Sequence, residues 1–273
     1  MKKILLIITC LLTILSFAAL AVTAGCKKQS ANEIIIGASP TPHAEILYFA
    51  QPYFEKAGIK VKVLEMSDYI IPNTALDSND IQANYMQHEP YLIDFNKKNK
   101  LKNHLVSAGK IHFEPLGIYA GKSSNIEDIK NGAIIGIPND PTNGARALLL
   151  LDDLGILKIN KNKGFEATEL DIIDNPKNII IKAMEAAQLP VSLPDLDFAV
   201  INGNYALGAG VLDKVIVGES NSSHSASTFG NIVAVREQDL NNPQIQKIIE
   251  ILKSEPVKQY IQDTYNGVVI PLN

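Results

Sequence analysis

From residue 33 onward, short apolar runs alternate with longer stretches of helical spacing, and nothing else in the chain limits the fold so strongly. Such alternation calls for strands buried between covering helices, an α/β architecture with mainly parallel sheets. Strands are predicted at 33–39, 60–66, 81–86, 133–138, 178–184, 197–202, 214–220 and 231–237. Helices are predicted at 43–58, interrupted by Pro52 and stopped by Gly58, at 89–100, at 139–155, and as a closing pair at 243–255 and 256–267. Leu148, Leu149, Leu150 and Leu151 must then be largely buried. The 273 residues are 46% hydrophobic, enough for one large or two modest domains. A formal net charge of -4 with no long basic run excludes nucleic acid as a partner.

The N-terminus follows other rules. Lys2 and Lys3 precede an uncharged apolar segment, residues 4–24, the charged head and apolar core of a secretory signal. By length that segment also suffices for an uncleaved membrane anchor. The run Val22, Thr23, Ala24, Gly25, Cys26 resembles the lipobox of bacterial lipoproteins, with Thr23 in place of the common Leu. Residues 1–25 are therefore expected to be a lipoprotein signal peptide, Cys26 the lipidated residue and 26–32 a polar tether. Cys10 leaves with the signal, so the exported chain has no disulfide partner and relies on its core.

Motifs of catalysis are missing. Residues 117–124 (GIYAGKSS) imitate a phosphate loop, but Leu116 stands where the first glycine belongs, and the segment is read as a solvated turn. The five histidines show no i, i+4 pair, no metal-binding cysteine pattern occurs, and Asp152 with Asp153 reads as a solvated helix edge. No catalytic residue, metal or cofactor is assigned. Residues 137–146 (IPNDPTNGAR) are more informative: a buried strand delivers the chain to a helix start that Thr142 or Asn143 can cap, where Gly144 permits close approach. Free N–H groups and Arg146 would there form an anion site. Tyr69, Tyr85, Met86, His88 and Tyr91 offer soft apolar surface with a few donors. A weak internal echo between residues 76–83 and 193–200 places Gln87 and His88 at one strand end, and Asn202 and Asn204 at another, where both could face one cleft.

Taken in order, SPTPHAEIL, DYIIPNTAL, NYMQHEPYL, IPNDPTNGARALLLL, AVINGNYA and FGNIVAVR closely resemble the methionine-binding lipoprotein family, surface receptors of methionine ABC importers. The resemblance implies the type II periplasmic solute-binding protein fold, two α/β lobes joined by two crossover segments with a ligand cleft between them. Lobe 1 is expected at 33–116 and 231–273, and lobe 2 at 117–230. It implies a ligand site of Tyr69, His88, Tyr91, Asn143, Arg146, Asn202 and Asn231, with Met86 replacing a common aromatic wall residue. Arg146 is the implied carboxylate partner, expected to face an open, wet cleft when no ligand is bound. The implied partners are methionine, an ABC permease and ATPase complex, and the membrane through the lipid. The chain is expected to be a monomer held at the cell membrane, facing the periplasm or exterior. Methionine sulfoxide or a short Met-containing peptide is the alternative ligand, and an enzyme or an adhesion lipoprotein on this fold the remoter reading.

Overall fold

The computed structural model describes residues 33–220 and 223–273. The signal segment, Cys26 and the tether lie outside the described residues. The first sheet takes β1 (Glu33–Ala38), β2 (Lys60–Glu65), β3 (Ala83–His88) and β4 (Leu105–Phe113), then β12 (Asn231–Arg236) and β13 (Ile270–Pro271), in the order β13-β4-β12-β3-β1-β2. The second is built from β5 (Gly117–Ala120), β6 (Ile134–Pro138), β9 (Ile180–Met184), β10 (Phe198–Ile201) and β11 (Val215–Gly218), in the order β11-β5-β10-β6-β9. A small pair, β7 (Lys158–Ile159) and β8 (Ile172–Asp174), sits apart. The chain passes from one sheet to the other twice, between β4 and β5 and between β11 and β12.

Helices cover both faces of each sheet, as buried strands require. In the first, α1 (Glu45–Lys56), α8 (Pro243–Leu252) and α9 (Glu255–Tyr265) bring Leu47, Phe54, Ile248 and Ile261 against Ile36 and Val233. The opposite face packs Leu76 of α2 (Ile71–Asp77) and Leu92 of α3 (Glu89–Lys98) against Ile232 and Ala234. In the second, Leu148 and Leu151 of α4 (Pro141–Asp153) lie on Ile118, Ile135 and Val200. Its other face holds Leu189 of α5 (Leu189–Ser192) and Ala206 of α6 (Gly203–Gly208). One last helix, α7 (Ser223–Phe229), lies on the second passage.

Four expectations are corrected. The sheets are mixed: β1 with β3 and β6 with β9 and β10 are parallel, but β12 runs antiparallel to β3 and β4, and β5 to β10 and β11. The antiparallel strands β5 and β12 are the two that the chain enters from the other sheet, so no crossover within their own sheet sets their direction. Residues 117–120 are a buried strand rather than a solvated turn, with Ile118 and Tyr119 inside. Helix α1 runs through Pro52, because Pro52 and Tyr48, whose carbonyl loses its bond, both face water. Asp152 is buried, accepting from the Ile159 N–H at 3.1 Å and pairing with Lys158, while Asp153 alone is exposed.

Candidate functional site

The strand ends and both passages converge on one cavity. Its floor and walls come from Met86, Gln87 and His88 at the end of β3, Tyr91 in α3, and Tyr69 before α2. The other side comes from Asn143 and Arg146 in the first turns of α4 and from Asn202, Gly203 and Asn204 after β10, with Glu114 on the first passage and Asn231 at the start of β12, where the second ends. All eight residues named from the sequence thus surround one narrow space, whose empty volume with its open mouth included is about 350 Å³. Glu114 was not among them.

Hydrogen bonds span the cavity from one sheet's residues to the other's. Tyr69 donates to Asn204 Oδ1 at 2.6 Å, and Tyr205 to the Ser67 carbonyl at 3.1 Å. His88 Nδ1 accepts from the Tyr91 N–H at 3.2 Å, which fixes its proton on Nε2, and Nε2 donates to Asn143 Oδ1 at 3.0 Å. Burial and the nearby Arg146 hold His88 neutral, its pKa lowered to about 3. Asn143 Oδ1 also accepts from Asn202 Nδ2 at 2.9 Å, while Asn143 Nδ2 donates to both Asp140 oxygens at 3.0 Å. Every polar atom of Asn143 is therefore engaged by protein, and it braces its neighbours.

The start of α4 is not a free anion site. Asp140, rather than Thr142 or Asn143, is the cap: its carboxylate takes the Asn143 N–H at 2.9 Å and the Thr142 hydroxyl at 3.1 Å. An internal acid already sits where the helix dipole favours negative charge. Gly144 does permit close approach, since a Cβ there would stand 2.9 Å from the Pro138 carbonyl. Nor does Arg146 face open water. It is 4% exposed and grips Glu219 through Nε, at 3.1 and 3.2 Å, and through Nη2. Nη2 also donates to the Glu114 carbonyl at 3.0 Å, and the guanidinium lies 4.1 Å from the Phe229 ring centroid. Nη1 has no bond within the protein among the described residues.

What the cavity offers a ligand is divided by type. His43 Nε2 donates to Asn231 Oδ1 at 3.0 Å, which turns the Asn231 amide N–H groups to donate elsewhere. Arg146 Nη1 and Asn231 Nδ2 are thus donors. Asn202 has its Nδ2 engaged and its Oδ1 buried without a partner, an acceptor. Between them the wall is Met86 packed with Tyr91 and Phe95, edged by Tyr69. Both tyrosine hydroxyls are spent on protein, Tyr91 on the Tyr69 carbonyl at 3.1 Å, so the rings present carbon.

Residues 34–273 match the model of the NlpA lipoprotein family. The D-methionine-binding lipoprotein MetQ of Salmonella typhimurium is 35% identical over 252 residues, covering 89% of this chain and 90% of that protein. The methionine-binding lipoprotein MetQ of Bacillus subtilis is also 35% identical, over 89% of each chain. A nutrient-binding protein from Burkholderia cenocepacia, solved bound to methionine, superposes with a TM-score of 0.82 at 39% identity, covering 88% of this chain and all of that one. The fold is that of the periplasmic solute-binding proteins, two α/β lobes with a cleft between them, and the chain belongs to the NlpA lipoprotein family.

Proposed function

We propose that the chain is an extracytoplasmic receptor that binds methionine or a close derivative between two lobes, 33–116 with 231–273 and 117–230, and delivers it to an ABC import permease. The observation that carries this is the division of the cavity into donors, acceptors and a thioether-aromatic wall. A free amino acid has the matching parts. The ligand carboxylate would lie on Arg146 Nη1 and Asn231 Nδ2, its ammonium beside Asn202 Oδ1, and its side chain along Tyr69, Met86 and Tyr91. His88, the titratable residue that the sequence motif brings to the cleft, has both nitrogens engaged, which favours a receptor over an enzyme. Bonds across the cavity such as His88 to Asn143 would open to exchange ligand, so occupancy is read as closure.

Calorimetry with L-methionine, D-methionine, methionine sulfoxide and Met-containing dipeptides tests the reading. Micromolar or tighter binding of a methionine is expected, and no heat or thermal shift across the panel would overturn it. No helix among the described residues is long and apolar enough to cross a membrane, and membrane attachment is assigned to a lipid on Cys26. Cys26→Ser should move the protein out of the membrane fraction; undiminished retention would make the apolar segment itself the anchor.

A further inference from the structure

We infer that Glu114 is the residue by which the site demands a charged α-ammonium group, so that it refuses α-hydroxy and N-acyl analogues of its ligand. The inference rests on the methionine reading and adds to it the determinant of ligand class. Glu114 lies on the passage between β4 and β5, is 6% exposed, and lines the cavity. Its Oε2 reaches toward α6, where a Cβ on Gly203 would stand 2.9 Å away, so glycine there admits the carboxylate.

Everything behind Glu114 donates to it. The Tyr85 hydroxyl donates to His112 Nδ1, and His112 Nε2 donates to Glu114 Oε1 at 2.7 Å. The Asn204 N–H adds a further donor. A chain of donors aimed at one oxygen strengthens along its length and fits a carboxylate that carries its charge. Yet among the described residues no cation pairs with it. His43 Nε2 stands 3.5 Å from Oε1 and His112 closer, but burial lowers their pKa values to about 4 and about 3, so both are neutral. The one guanidinium nearby has Glu219 as its partner. His43, His112 and Glu114 bring their ligand atoms within 4.8 Å of one another, but both histidine Nε2 atoms are bonded as donors, to Asn231 Oδ1 and to Glu114 Oε1, so neither Nε2 is available as a metal ligand in this arrangement. A buried carboxylate with no cation is costly, and a cation brought by the ligand relieves that cost. The α-ammonium, set beside Asn202 Oδ1, is that cation.

The test compares methionine with 2-hydroxy-4-(methylthio)butanoate, which keeps the carboxylate and thioether and replaces the ammonium by hydroxyl. The wild type should bind methionine at least ~30-fold more tightly, since the hydroxy acid leaves Glu114 buried and unpaired. Glu114→Gln should lose methionine affinity by a similar factor and change hydroxy-acid affinity less than threefold, collapsing the preference. Equal binding of both ligands by the wild type overturns the inference with no variant needed. Equal loss of both in folded Glu114→Gln also overturns it, leaving a structural role. If the wild type binds neither ligand, the methionine reading falls and this inference with it; wild-type methionine binding confines any failure to Glu114.

Discussion

Arg146→Ala is expected to lose methionine binding and to lower the melting temperature of the ligand-free protein together. The ligand carboxylate would keep only the Asn231 amide, and loss of one member of a buried charge pair costs ~3 to 5 kcal/mol, or about 150- to 5000-fold in affinity. The same substitution strands Glu219, leaves the Glu114 carbonyl without its donor and removes the cation from the Phe229 face. A comparable stability loss would lower the melting temperature by roughly 6 to 20 °C for a chain of this size. The sequence had suggested an Arg146 that waits in open water, where its removal would spare the fold. Arg146→Lys should recover part of each loss, since a point charge cannot reproduce the fork. In the double variant with Glu219→Ala no carboxylate is stranded, so stability should return in part while affinity stays low. Calorimetry and apo melting check both; affinity within threefold of wild type in Arg146→Ala would place the ligand carboxylate elsewhere.

The second large effect is acid lability well above the range of ordinary carboxylates. His43, His88 and His112 have pKa values lowered by burial from 6.5 to about 4, 3 and 3. Between pH 6.5 and about 4 the unfolded chain binds protons at these histidines that the folded protein refuses. Stability is therefore full above pH 6.5 and falls as pH drops through that window. Glu114 and Asp140 act oppositely, because burial raises their pKa values and the folded protein holds their protons longer. Three groups against at most two leave a net uptake on unfolding near pH 5, or about 1.4 to 4 kcal/mol per pH unit. Melting curves at half-unit steps should show a steady decline from pH 6.5 to 4.5. A flat profile there would mean that these histidines are protonated in the fold.

What could be read in advance followed local patterning. The runs at β1, β2, β3, β6 and β10 are apolar enough to announce themselves, and Leu148 and Leu151 are buried as their spacing requires. Strand β4 was illegible because Ser107, Gly109, Lys110 and His112 interrupt its apolar pattern. Gly109 is there for packing, since a Cβ would stand 2.8 Å from Ile249 of α8. The site was legible as a set of residues: the strand ends that the weak internal echo singled out, at His88 and at Asn202, do meet at one cavity. Their bonding was not. Arg146 and Glu219 are 73 residues apart, and Glu114 joins His43 only through the fold, so no spacing records either contact. Asp140 was overlooked as the helix cap because Thr142 and Asn143 are equally good capping types, and only the backbone geometry chooses between them.

The most direct test of the account is a crystal structure of the protein soaked or grown with L-methionine. The account places the carboxylate within hydrogen-bond distance of Arg146 Nη1 and Asn231 Nδ2, the ammonium between Asn202 Oδ1 and Glu114, and the sulfur against Tyr69, Met86 and Tyr91. Methionine bound outside this cavity, or turned so that its carboxylate meets Glu114 and its ammonium Arg146, would contradict it.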